Sequence, residues 1–218
     1  MRKNKNNKVF GIVGLGRFGT ALAETLAQAG YDIIVMDRDE RRVKEVRHLT
    51  EYAYVIETID KETLDEVGMR NCDVAIVCIG SAMDVNILTT LHLVNLGIPK
   101  VYAKAVSKDQ GLILEKLGAY VVYPEHDMAV RLAKKLVATQ LVDYFSLNDE
   151  IDIFELNLPD RFVGQTVAQA NLRQDYGFNI IAIEHQSETL LEISPDYVFQ
   201  KGDCIVVLGN RLSIHNFE

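Results

Sequence analysis

The stretch from Val9 to Asp37 constrains the fold more than any other: VFGIVGLGRFGTALAETLAQAGYDIIVMD. A short apolar run, Val9 to Val13, reads as a buried strand and leads straight into Gly14-Leu15-Gly16-Arg17-Phe18-Gly19. Ala21, Leu22, Leu26 and Ala29 then recur at helical spacing, and Gly30 stands where a helix-ending glycine belongs. A second apolar run, Ile33 to Met36, ends on Asp37. This is the G-x-G-x-x-G fingerprint in the setting it requires: strand, tight turn, helix, strand, terminal acid. Gly14 allows the turn, Gly16 lets the backbone approach a phosphate, and Gly19 lets the helix pack on the sheet. The helix start at Arg17 and Phe18 offers unbonded N–H groups and a partial positive charge to an anion. Asp37 is placed to accept hydrogen bonds from ribose hydroxyls and to repel a 2′-phosphate, with Arg38 beside it as a counterweight. The pattern indicates a nucleotide site; the alternative is a domain of this fold that has lost its ligand.

Composition narrows the partners. The chain has 218 residues, enough for one large domain or a standard domain plus a small one. A hydrophobic content of 48% allows a sizeable core. The formal net charge of −8 argues against nucleic acid, which needs a basic face to neutralise phosphates. Arg2, Lys3, Lys5 and Lys8 are interspersed with Asn and read as a solvated tail, because no apolar signal core follows them. No apolar run approaches a membrane span, so a soluble, cytoplasmic protein is expected. Cys72, Cys78 and Cys204 fall in or beside apolar runs without a C-x-x-C pair, as buried reduced thiols do. His48, His92, His126, His185 and His215 are scattered without metal-ligand spacing.

Beyond Asp37, helices and strands alternate. Helices are expected at Arg41–Leu49 (capped by Asp39), Thr63–Gly68, Asp84–Leu96 and from Ser107 to about Gly118. Ser81 with Asp84, and Ser107 with Gln110, resemble capping boxes. Strands are expected at Ala53–Ile56, Asp73–Ile79, Lys100–Lys104 and Ala119–Tyr123. The order predicts an α/β, Rossmann-like, doubly wound parallel sheet. A further helix from Asp127 to Asp143 carries Val130, Ala133, Leu136, Val137 and Leu141 as an apolar stripe, either to pack on a partner subunit or to bridge to the next domain. Ser146 to Glu150 reads as a polar joint, which divides the chain into domains 1–146 and 147–218. The second is a small α+β lobe. It holds a half-buried strand through Phe154, Leu156 and Leu158 and a short helix Val167–Leu172. A hairpin of Phe178–Ile183 with Thr189–Ile193 and a last strand Cys204–Leu208 follow.

The lobe offers no catalytic cluster. Tyr197 and Lys201 match the Y-x-x-x-K spacing of short-chain dehydrogenases, but between turn signals rather than on a helix beside the nucleotide sheet, so the match reads as coincidence. Arg17 is more telling, because a guanidinium inside the glycine turn suits a highly charged phosphate tail and leans from NAD toward ATP or ADP. The alternative for Arg17 is a surface ion pair. Lys104, ending its strand at the carboxyl edge, either adds a second cation or is a solvated strand end. Glu125, after Pro124 at the same edge, either binds a divalent cation beside phosphate oxygens or is a helix-capping acid.

These residues carry a family resemblance. GIVGLGRFG with Asp37, Gly68-Met69-Arg70-Asn71, the Ile79-Gly80 turn, Leu114 to Ala119 and Tyr123-Pro124-Glu125-His126-Asp127-Met128 resemble the RCK (regulator of potassium conductance) domain. The second lobe, ending Pro195…Gly202-Asp203…Gly209, is similar to the TrkA-C (RCK-C) domain. The whole chain looks like the cytosolic subunits of Ktr/Trk potassium uptake systems, of the KtrA/TrkA type. The resemblance implies a non-enzymatic role, in dimers that assemble into an octameric ring beneath a membrane potassium transporter and switch between ATP and ADP. It implies that Arg17 contacts the terminal phosphates, that Asp37 binds ribose, and that Glu125 reaches ribose or a Mg²⁺ or Ca²⁺ ion near the dimer interface. Gly14, Gly16, Phe18, Gly19, Arg38, Ile79, Gly80 and Lys104 belong to the same implied site. Glu57-Thr58 stands beside the adenine, where relatives more often carry Asp or Asn followed by Ala. In similar proteins the second lobe binds cyclic di-AMP between two subunits, and Asn171, Leu172, Arg173 and Ile180 match that region. From the residues alone, a small NAD-dependent oxidoreductase or NAD(H) sensor remains the alternative.

Overall fold

In a computed structural model, residues 8–137, 140–148, 150–186 and 188–217 are described. Arg2, Lys3 and Lys5 of the basic start, and Asp149 of the polar joint, lie outside them. The chain divides into two compact units, Met1–Asp127 and Met128–Glu218.

The first unit alternates as its apolar periodicity dictates. It runs β1 (Val9–Val13), α1 (Arg17–Gln28), β2 (Asp32–Asp37), α2 (Glu40–Val46), β3 (Ala53–Val55), α3 (Lys61–Glu66) and β4 (Val74–Val77). Then come α4 (Met83–Asn95), β5 (Lys100–Lys104), α5 (Lys108–Lys116), β6 (Tyr120–Val122) and the start of α6 (Pro124–Val137). The six strands order as β3-β2-β1-β4-β5-β6, all parallel, the doubly wound sheet the sequence predicts. Alternation within a strand feeds both faces. Ile33 and Val35 join one core with Ala23 of α1 and Val43 of α2, while Ile34 and Met36 join the other with Leu64, Leu93 and Leu114. Strands buried on both faces need near-continuous apolar sequence, which is what β2 and β4 have. On the first face, beside α1, the side chains of Phe10, Phe18, Leu22, Leu26, Ile76 and Tyr102 line an open apolar groove.

Caps follow local chemistry. Asp39 accepts from Arg41 N and caps α2, and Ser107 accepts from Gln110 N at 3.2 Å and caps α5. The return half of that second box misses by one residue, because Gln110 Oε1 accepts from Val106 N instead. The Ser81–Asp84 box is not formed: α4 starts one residue later than that pattern requires, with Ala82 at its N-cap and no side-chain cap.

The second unit is an antiparallel sheet, β10-β9-β11-β8-β7. Its strands are β7 (Leu141–Ser146), β8 (Ile151–Asn157), β9 (Asn179–His185), β10 (Glu188–Leu190) and β11 (Cys204–Asn210). The short helices α7 (Val167–Ala170), α8 (Leu172–Tyr176) and α9 (Ile214–Phe217) complete it. Two expectations are corrected here. The helix expected to reach Asp143 stops at Val137, and Leu141–Ser146 is an edge strand paired with β8. Past that strand, Asn148 Oδ1 accepts from Glu150 N and Ile151 N. The expected single helix Val167–Leu172 breaks at Asn171, which adopts φ 48°. The β9–β10 hairpin forms as predicted with a shorter second strand. Phe154, Phe162, Phe178, Phe199 and Phe217 are buried in the core of this unit, and Tyr144, Tyr176 and Tyr197 pack against it. Asp203 is 1% exposed and its carboxylate is satisfied by Tyr197 OH, Gln200 N and His185 Nδ1, so the Gly202-Asp203 turn is pinned from within.

Candidate functional site: a glycine turn and a charged sheet edge

The turn between β1 and α1 has the three requirements the fingerprint demands. Gly14 sits at φ +97°, a conformation L side chains rarely adopt, and donates to Met36 O at 2.8 Å. A Cβ on Gly19 would lie 1.9 Å from the Gly14 carbonyl oxygen, so helix and turn touch directly. Gly16 differs from both. Its backbone is extended at φ −71° and ψ −176°, and a Cβ there would meet nothing within 4 Å. The protein itself does not require glycine at this position, which leaves the approach of something outside the chain. Gly16 is the N-cap of α1, without a side-chain cap and without an acid in the first turn, so the helix start keeps its free donors and positive potential.

Around this start the structure brings together three of the predicted charges, Arg17, Lys104 and Glu125. Arg17 is exposed on the first residue of α1 and makes no ion pair among the described residues. Lys104, the last residue of β5 and only 8% exposed, hydrogen-bonds through Nζ to Glu125 Oε1 in the first turn of α6. That bond holds the Glu125 carboxyl below its ordinary pKa, with the nearby charge of Arg17 adding a smaller push the same way. The backbone of Gly80 lies against Lys104, since a Cβ there would be 3.4 Å from Nζ. The Ile79 turn also borders the glycine turn, because a Cβ on Gly14 would be 3.2 Å from Ile79 N.

Asp37 is 7% exposed at the end of β2 and is already engaged. Its Oδ2 accepts from Leu15 N at 2.6 Å and faces Arg42 Nη1 at 3.4 Å, while Oδ1 accepts from Asp39 N at 2.9 Å. The carboxylate therefore ties the glycine turn to the second strand. Arg42 is a residue the sequence reading missed; its place one helical turn past the Asp39 cap was the available signal. Arg38 is exposed beside Asp37, and Glu57 and Thr58 are exposed just beyond β3. Phe18 is half-buried, and its ring belongs to the apolar core and groove rather than to the charged edge.

In the second unit the predicted residues differ in exposure. Asn171 and Arg173 are accessible, whereas Leu172 is 3% exposed and belongs to the core, with Ile180 packed against it. Cys72 and Cys78 are buried and Cys204 half-buried, all three free, and burial pushes each thiol up to about 12. Among the described residues no group of three or more His, Cys, Asp or Glu side chains could hold a metal ion, and no helix is long and apolar enough to cross a membrane.

A parallel six-stranded sheet with a G-x-G-x-x-G turn, followed by a small antiparallel lobe, defines a Rossmann-like α/β module with an appended antiparallel domain. Residues 10–124 match the TrkA-N domain and residues 153–218 the TrkA-C domain, so the chain belongs to the TrkA family of potassium-uptake proteins. It is 34% identical to the Ktr system potassium uptake protein C of Bacillus subtilis, over 97% of this chain and 96% of that protein. It is 32% identical to the Ktr system potassium uptake protein A of the same organism, over 97% and 96% respectively. Among solved structures, the TrkA-N domain of inner membrane protein ybaL from Escherichia coli superposes with a TM-score of 0.54 at 20% identity, over 61% of this chain and 98% of that one.

Proposed function

We propose that this chain is a nucleotide-binding regulatory subunit of a potassium uptake system, in which ATP and ADP compete at the glycine turn and set the state of a membrane potassium-translocating subunit. The observation that carries the proposal is the pairing of Gly16, open where no part of the chain needs it open, with the unpaired Arg17 at the start of α1. A third phosphate adds negative charge where Arg17 and Lys104 stand, so the two nucleotides bind with different strength and shift the populations of two conformations. The first domain ends within α6 in this reading, and the lobe that begins at β7 is regulatory rather than catalytic. Its one pattern of enzymatic spacing is spoken for, because Tyr197 OH donates to Asp203.

In this reading the subunit is a homodimer that assembles into an octameric ring, held at the inner face of the membrane by its transporter partner. A Mg²⁺ or Ca²⁺ ion at Glu125 fits only with help. This carboxylate is 65% exposed but already bonded to Lys104, so the ion would draw its other oxygens from the nucleotide phosphates. Cyclic di-AMP at the second lobe would use Asn171, Arg173 and Ile180, with Leu172 contributing backbone only. NAD(H) is the second reading, favoured by the buried Asp37 at the ribose position.

Calorimetry with ATP, ADP and NADH on the purified protein separates these readings. ATP and ADP are expected to bind more tightly than NADH, and the reverse order would overturn the proposal. Arg17→Ala should weaken ATP by about tenfold, as loss of a charge-assisted contact does, and ADP by much less. An equal loss for both would mean that Arg17 does not read the third phosphate.

A further inference from the structure

Asn86 sits in the first turn of α4, is fully buried, and does not belong to the fingerprint. Its Nδ2 donates to Ile79 O at 2.7 Å and to Lys104 O at 3.0 Å. The backbone ladder between β4 and β5 ends at the pair Val77 and Ala103. Beyond that rung the two strands have no ladder bond to each other, and the side-chain amide spans them instead. Its orientation is fixed by chemistry, since the opposite one would set three acceptor oxygens face to face. Its Oδ1 has no hydrogen-bond partner among the described residues. A buried acceptor without a partner is costly, and an apolar side chain of the same volume would avoid that cost only by taking the amide donor away from the carbonyls of Ile79 and Lys104. What the amide does beyond stability depends on which backbone it holds.

The two carbonyls it holds belong to the charged sheet edge. Ile79 leads into Gly80, whose backbone lies against the Lys104 ammonium, and Lys104 is itself bonded to Glu125. We propose that Asn86 is a positioning residue for nucleoside polyphosphate binding: it clamps the Ile79–Gly80 turn to the backbone of Lys104 and so fixes where the lysine ammonium meets the phosphates. This rests on the reading of the glycine turn as an ATP and ADP site. A residue that only supports the fold would change stability and leave its effect on affinity independent of Lys104. A residue that acts through Lys104 would have no further effect once the ammonium is gone.

The test is a double-mutant cycle on the full chain, with Asn86→Ala, Lys104→Met and the double variant, read by calorimetric ATP affinity and by thermal unfolding without nucleotide. Each single variant should weaken ATP by about tenfold, the loss expected for one contact to a charged group, and the double variant should be no weaker than Lys104→Met alone. Asn86→Ser, which removes less volume and keeps one polar atom, is carried through the same cycle in case the alanine variant does not fold. Folded Asn86 variants that bind ATP like the wild type, or losses that multiply in the double variant, would overturn the assignment. A wild-type chain that binds neither ATP nor ADP would remove the functional reading itself, a result read before any variant is made.

Discussion

Gly16 and Gly19 are three residues apart and are glycine for different reasons. At Gly19 the reason is internal, because a Cβ would collide with the Gly14 carbonyl at 1.9 Å. At Gly16 it is external, because the added carbon would meet nothing within 4 Å. Gly19→Ala should therefore destabilise the fold by about 3 kcal/mol, the upper range for overpacking. Gly16→Ala should cost about 1 kcal/mol of stability, because alanine is a poorer N-cap than glycine, while weakening nucleotide binding at least roughly tenfold. Thermal unfolding and calorimetry on the two variants check this split, and a Gly16→Ala variant that binds nucleotide normally would defeat it. Residues of this kind were legible in the sequence because the fingerprint is local: the glycines, the helix start and Asp37 all lie within one strand-turn-helix-strand unit. Arg42 and Asn86 were not. Their importance comes from where tertiary packing brings them, Arg42 onto Asp37 and Asn86 across two strand ends.

Elements were legible where periodicity and caps agreed. The strands of the first sheet stood out as apolar runs, and Asp39 and Ser107 cap the helices they were expected to cap. The region after β6 misled because Leu136, Val137 and Leu141 continue a helical stripe in sequence, whereas pairing with β8 draws Leu141–Ser146 into a strand. The start of α6 was also read late, since Pro124 suits the first helical position and Glu125 the first turn. Glu125 ties that first turn to the last residue of β5 through Lys104. Its carboxyl is held below the ordinary value of 4.5, chiefly by that hydrogen bond. A lowered carboxyl pKa stabilises the fold fully above the ordinary value and loses that contribution as pH falls through the folded-state value. Glu125→Gln should therefore unfold at a lower temperature than the wild type at pH 7, in part because Lys104 is left nearly buried without its partner. The gap should close as the pH falls below 4.5 and on through the lowered folded-state value, where the wild-type carboxyl takes up its proton. A gap that stays constant with pH would show that ionisation of Glu125 contributes nothing to stability.

At the scale of the molecule, length and the change of pattern along the chain pointed to a two-part plan, but not to which surfaces are left uncovered. That depends on which sheet face each helix takes. Beside α1 the groove of Phe10, Phe18, Leu22, Leu26, Ile76 and Tyr102 is open, and on α6 the apolar residues Met128, Leu132 and Leu136 are 60%, 55% and 77% exposed at a spacing of four. Side chains at that spacing share one helical face. Burying each is worth about 1.5–3 kcal/mol, so the stripes of two copies together gain on the order of 10 kcal/mol. Association itself costs about 4–15 kcal/mol, so the stripe can hold a dimer only if a second copy offers an apolar surface, and the groove is such a surface. The balance is close enough that one charge should tip it. Leu132→Glu is expected to shift the protein from dimer or larger to monomer in size-exclusion chromatography with light scattering, with thermal stability of the separated monomer little changed. Full-size assemblies of the variant would show that α6 does not carry the interface, and a monomeric wild type would overturn the proposed homodimer.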